Sequence, residues 1–149
     1  ASGVIFAHGS RFGGHCLFIK DKKLYYVYNF LGIKPEQQLV SGILKPGKYT
    51  VGMEFTKEKA GEHNESLGTM KLYVNDKMVA DGPMRAQIGK FTLVGDGLCV
   101  GFDSGDNVSQ LYKSPGEFIG GTISFVKIST GKEKYSDLET EAARAWAKE

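Results

Sequence analysis

Cysteine is nearly missing, with only Cys16 and Cys99 in a chain of 149 residues. This excludes a disulfide-stapled scaffold of the kind small secreted domains need. A chain of this length buries roughly two thirds of its unfolded surface and needs no staple to fold. Each cysteine lies in an apolar run, CLFI and LCV, where a thiol acts as a small hydrophobe. Free thiols are the expectation, and a bridge formed in an oxidising compartment is the alternative. Long apolar runs are missing too. None approaches the roughly 20 residues that cross a membrane, so no membrane partner is expected. An excess of one charge is also missing. The 19 Lys and Arg stand against 17 Asp and Glu, for a formal +2. The bases are scattered beside acids, whereas a nucleic-acid groove clusters them, so no nucleic-acid partner is expected. The opening ASGVIF carries no basic segment and does not read as a signal peptide. It also lacks an initiating Met, and the expectation is a processed chain or a piece of a longer protein.

Glycine is abundant instead, with 20 residues spread at no fixed period. That distribution excludes collagen and low complexity, and frequent Gly between short apolar runs reads as tight turns of an all-β domain. The β-rich runs are 3–8, 15–20, 23–30, 38–43, 48–56, 68–75, 77–81, 90–94, 97–102 and 118–129. Their short spacing favours a sandwich or barrel, in a single domain over 1–149. Asn75-Asp76 between KLYV and KMV has the form of a two-residue hairpin turn, since Asn tolerates positive φ. Asp21-Lys22 is a poorer turn, because Lys at positive φ costs more than Gly. Pro46-Gly47 turns the chain into the next strand. Lys57 to Leu67 is polar and reads as a mobile loop, with a formal glycosylation acceptor at Asn64-Glu65-Ser66. Ser136-Asp137-Leu138-Glu139 has the form of a capping box. Leu138, Ala142, Ala145 and Trp146 follow at helical spacing, which predicts a C-terminal α-helix over 136–149.

Catalytic chemistry is hard to find in this sequence. There is no Gly-x-Ser-x-Gly elbow for a nucleophilic serine, so no catalytic residue is assigned. His8 and His15 flank the loop Gly9 to Gly14, but no third ligand is spaced nearby and no metal site is assigned. The loop invites a phosphate reading, yet CLFIK, a strand, follows it where a helix N-terminus is needed. Asp103-Ser104-Gly105-Asp106-Asn107 has calcium-loop composition without the EF-hand register, and reads as an acidic turn. Alternation places Tyr26, Tyr28 and Phe30 on one strand face and Tyr25, Val27 and Asn29 on the other. One face is expected to pack the core; a Tyr–Asn face exposed to solvent would suit sugar rings. The residues expected to contact a substrate or partner domain are His8, Arg11, Phe12, His15, Tyr28 and Asn29. Arg11 and Phe12 stand out as a charged arm and an aromatic on a glycine-hinged loop, and Arg holds oxyanions such as sulfate bidentately.

The segments GVIFAHGSRFGGHCLFIKD, LYYVYNFLG, TMKLYVNDKMVADG, CVGFDSGDNVSQLY and FIGGTISFVKI together resemble the C-terminal domain of bacterial formylglycine-type arylsulfatases. The resemblance implies a concanavalin- or laminin-G-like β-sandwich, a jelly roll, preceded by a large catalytic domain in the same parent chain. That domain hydrolyses sulfate esters with a calcium ion and a formylglycine made from Cys in Cys-x-Pro-x-Arg or Cys-x-Ser-x-Arg. Neither cysteine here has that context: Cys16 precedes Leu17-Phe18-Ile19-Lys20 and Cys99 precedes Val100-Gly101-Phe102-Asp103. The resemblance therefore implies a non-catalytic domain with no cofactor of its own, whose partner is the sulfatase catalytic domain. A sulfate ester or glycan ligand and a homo-oligomer stay open, as does a location in bacterial cytoplasm or periplasm. The competing class is an independent carbohydrate-binding module, since similar sandwiches bind glycans.

Overall fold

The computed structural model describes residues 1–63, 65–86, 98–104 and 107–128. The expected run 90–94, the C-terminal helix over 136–149, Asn64 of the acceptor site and Gly105-Asp106 of the acidic turn lie outside the described residues. Eight strands follow in order: β1 Gly3–Ser10, β2 Gly13–Lys20, β3 Lys23–Asn29, β4 Gln37–Ile43, β5 Val51–Ala60, β6 Ser66–Val74, β7 Lys77–Ala86 and β8 Leu98–Val100. They form two antiparallel sheets, a five-stranded β4-β3-β2-β1-β8 and a three-stranded β5-β6-β7. The all-β expectation holds for the described residues.

Turn chemistry sets the hairpins. Asp21 and Lys22 both take positive φ, at 51° and 64°, so that turn closes in the left-handed region that matches the twist of the flanking strands, and in the second turn Asn75 alone does so, at 55°. The stretch expected as a mobile loop over Lys57 to Leu67 is largely strand among the described residues. β5 runs on to Ala60 and β6 starts at Ser66, paired Ala60 to Ser66. Charged side chains here are exposed and leave the backbone free to pair, so polarity was a poor guide. The expected closing strand over 118–129 also differs. Of its described residues only Ile119 pairs, in a bridge to Ser2, while Phe118, Ile123 and Val126 still pack on the core.

The five-stranded sheet is buried on both faces. Its inner face sends Phe6, Leu17, Leu24, Tyr26, Tyr28 and Leu39 against Met70, Leu72, Val74 and Met84 of the three-stranded sheet. Fully burying one such side chain is worth roughly 1.5–3 kcal/mol. Its outer face sends Val4, Ala7, Cys16, Phe18 and Val27 against Val108, with Tyr25, Leu111 and Tyr112 at the margin. The expectation that one face of β3 packs the core was thus too narrow: Tyr26 and Tyr28 fill the inner core, Val27 and Asn29 are buried on the outer side.

Cys16 and Cys99 are free and buried. Both stand opposite Ala7, on either side of β1. Two strand spacings put them roughly 10 Å apart, beyond the reach of a disulfide without backbone movement.

Candidate functional site at the β1–β2 hairpin

The β1–β2 hairpin pairs Ala7 with Cys16, His8 with His15, Gly9 with Gly14 and Ser10 with Gly13. The six-residue glycine loop expected from the sequence is therefore mostly strand, and only Arg11 and Phe12 form the turn. The glycines are there for backbone proximity. A Cβ on Gly9, whose φ is +108°, would lie 2.2 Å from the Gly13 carbonyl oxygen. The arm is thus presented by a rigid, closely packed ladder and has no glycine hinge. The buried Ser10 Oγ accepts from Phe12 N at 3.2 Å and fixes the turn.

All the contact residues named from the sequence come to this end of the sheet. His8, His15 and Tyr28 form one cross-strand row on β1, β2 and β3. Arg11 and Phe12 sit at the tip, with Phe12 53% exposed and the Arg11 guanidinium 4.9 Å from its ring centre. Leu31 and Ile33 of the β3–β4 connection are exposed beside them, and Gly32 packs under the Arg11 carbonyl.

Asn29 has a different place. It is 1% exposed, and its amide nitrogen donates to Arg11 O and Val108 O, both at 2.9 Å. Its oxygen accepts from Gly32 N at 3.0 Å. One side chain thus clips together the hairpin tip, the β3–β4 turn and the outer cover, and its position presents nothing to a sugar ring.

His15 lies on the inner face. Its Nδ1 is 2.9 Å from the Tyr26 hydroxyl, and its ring meets Phe6 edge-on at 5.3 Å between centroids. Burial, helped by the nearby His8, lowers its pKa to about 4, so the ring is neutral at pH 7. His8 is half-buried, with its ring centre 6.2 Å from that of His15 and tilted 53° to it. Burial pushes the Tyr26 phenol well up, so it stays a hydroxyl. The Cys16 thiol is also pushed up by burial and points to the other face, which makes it an inert core thiol.

Sequence reasoning missed Gln37 and Arg85. The Gln37 amide accepts from Arg85 N at 2.7 Å and donates to Arg85 O at 2.9 Å, tying β4 to β7 and so one sheet to the other. The Arg85 guanidinium stands 4.3 Å from the Phe30 ring centre. Nothing local in the sequence marks a glutamine that bridges two sheets.

The acidic turn also has a structural office. Asp103 is buried and accepts from Val108 N at 3.0 Å and from the Tyr112 hydroxyl. Among the described residues no three His, Cys, Asp or Glu side chains converge as metal ligands, and no helix is long and apolar enough to cross a membrane.

Compared with known proteins, the chain matches no family model, no curated protein and no solved structure.

Proposed function

We propose that this chain is the non-catalytic C-terminal domain of a formylglycine-type arylsulfatase, a sulfuric ester hydrolase, and that it packs against the catalytic domain through the β1–β2 hairpin tip. In this reading the two sheets are the halves of a concanavalin- or laminin-G-like jelly-roll sandwich, and a C-terminal helix is expected over 136–149. The reading rests on the sequence resemblance. The observation that supports its contact face is the tip itself: an exposed aromatic under a guanidinium, held outward on a rigid hairpin. Arginine there suits a sulfate or a carboxylate of the partner. The calcium and the formylglycine belong to the catalytic domain, because neither cysteine here has the required context.

The chain by itself is expected to show no turnover of an aryl sulfate. Hydrolysis above a contaminant control would overturn the non-catalytic assignment. The exposed Phe12 also favours a second reading, an independent carbohydrate-binding module that stacks a sugar on that ring. A panel of sulfated and neutral glycans separates the two. Binding that is lost in Phe12→Ala supports the module, and no binding supports the sulfatase domain.

A further inference from the structure

We propose that His8 and His15 form a two-imidazole site for a borderline divalent metal ion, Zn2+ in the first instance, with water completing the coordination. The hairpin register puts the two rings side by side on one face of adjacent strands, 6.2 Å between centroids. A zinc ion about 2.1 Å from a ring nitrogen lies roughly 3.2 Å from that ring's centre. Two such lengths just span the observed gap. An ion shared by the pair is therefore within reach once a nitrogen of each ring faces the gap, and a turn of His8 about its side-chain bonds supplies this and closes the site toward tetrahedral. The half-buried His8 side chain makes no hydrogen bond to the described residues that such a turn would have to break.

The second ring is already positioned. The Tyr26 hydroxyl engages Nδ1 of His15 at 2.9 Å, which fixes the ring and leaves Nε2 as the coordinating atom. Outer partners of this kind orient metal-ligating imidazoles. The backbone beneath is held by the Gly9–Gly14 contact, so the two Cβ positions are fixed before metal arrives. The buried Cys16 faces the opposite side of the sheet and does not compete. The remaining histidine, His63, lies on an exposed turn away from this ladder.

The test is Zn2+ titrated against a chromophoric chelator, using the whole chain. One ion per chain is expected, with affinity reduced at least tenfold in His8→Gln and unchanged in His63→Gln. Tyr26→Phe, which removes only the positioning hydroxyl, is expected to weaken binding by about tenfold. Because His15 is bonded to Tyr26 and packed edge-on against Phe6, its replacement risks unfolding, and His8 decides. As a second readout, Zn2+ should raise the melting temperature of the wild type and leave His8→Gln unmoved. Failure of the wild type to bind, equal affinity in His8→Gln, or loss of binding in His63→Gln would each overturn the proposal. None of these outcomes depends on whether the parent chain is a sulfatase.

Discussion

The two faces of the five-stranded sheet are covered in different ways. The inner face meets another sheet through a large apolar cluster, with the Gln37–Arg85 hydrogen bonds joining the two sheets beside it. The outer face meets residues 103–104 and the irregular stretch 107–112, and that cover is held by polar side chains. Asp103 holds Val108 N and Tyr112, and Asn29 holds Val108 O. Glu36 accepts from Ser109 Oγ at 2.7 Å and Gln110 N at 2.9 Å, and Lys20 donates to Leu111 O at 2.8 Å. The difference follows from backbone accounting. A sheet satisfies its own N–H and C=O groups, so its cover needs only shape and apolar area. An irregular cover leaves those groups to be met by side chains. Polar residues are then buried beside the apolar ones, as Asn29, Asp103 and Ser109 are.

The strongest way to probe the contrast is on the inner face. Leu72 is fully buried between the sheets, and Leu72→Ala should cost about 3–4 kcal/mol through lost transfer energy and a residual cavity. Urea unfolding measures it. A loss under about 1 kcal/mol would mean that the two sheets do not share a core.

Acid comes next. The only inner-face group with a lowered pKa among the described residues is His15, held near 4 in the fold against 6.5 when unfolded. The unfolded chain therefore takes up this proton first. The contribution is constant above pH 6.5, is lost as pH falls from 6.5 to about 4, and changes no further below that. The loss totals up to about 3 kcal/mol, at 1.4 kcal/mol per unit. Tyr26, Tyr28, Phe6 and His8 surround the ring, and none of them supplies a negative charge to offset the proton. Melting in chelator between pH 7 and 4 should show this slope for the wild type. A slope retained in full by His15→Gln would assign it elsewhere.

The outer face should respond to a polar deletion where the inner one responds to an apolar deletion. Asp103→Ala removes the acceptor of two hydrogen bonds and should cost about 2 kcal/mol. Its signature is local. The cover should lift while the inner core stays, so Cys16, which lies under it, becomes open to alkylation at denaturant concentrations that leave the wild type protected. Unchanged Cys16 protection would show that the cover does not depend on its carboxylate anchor.

Strand identity was legible because alternation and turn residues act locally. Asn75 at a positive-φ turn, the KLYV and KMV strands around it, and the paired glycines of β1–β2 each carry their instructions in a few residues. Even the His8–His15 pairing was in the sequence in principle. A two-residue turn at Arg11-Phe12 pairs residues whose numbers sum to a constant, and reading HGSRFGGH as a loop hid this. The outer cover was not legible. Asp103 looked like a surface acidic turn and Asn29 like a ligand contact, because the groups they satisfy are brought by residues distant in sequence, such as Val108. Gln37 and Arg85 were missed for the same reason.

The smallest stability effect should come from Arg11, at the end where both covers meet. Its side chain is exposed and its guanidinium lies over the exposed Phe12 ring. A cation–π contact in water is worth about 0.5–1 kcal/mol, and Arg11→Ala keeps both the Phe12 N to Ser10 bond and the Asn29 amide bond to the residue 11 carbonyl. The melting temperature of the chain should thus fall by no more than a few degrees. If the tip meets the catalytic domain or its sulfate ester, the same change in the full-length enzyme should reduce turnover while leaving that melting temperature near the wild-type value. Unchanged kinetics would remove the tip from function. A large loss of stability in both the chain and the full-length enzyme would show that the arginine belongs with Asn29, as one more clip holding the two faces of the sheet under their covers.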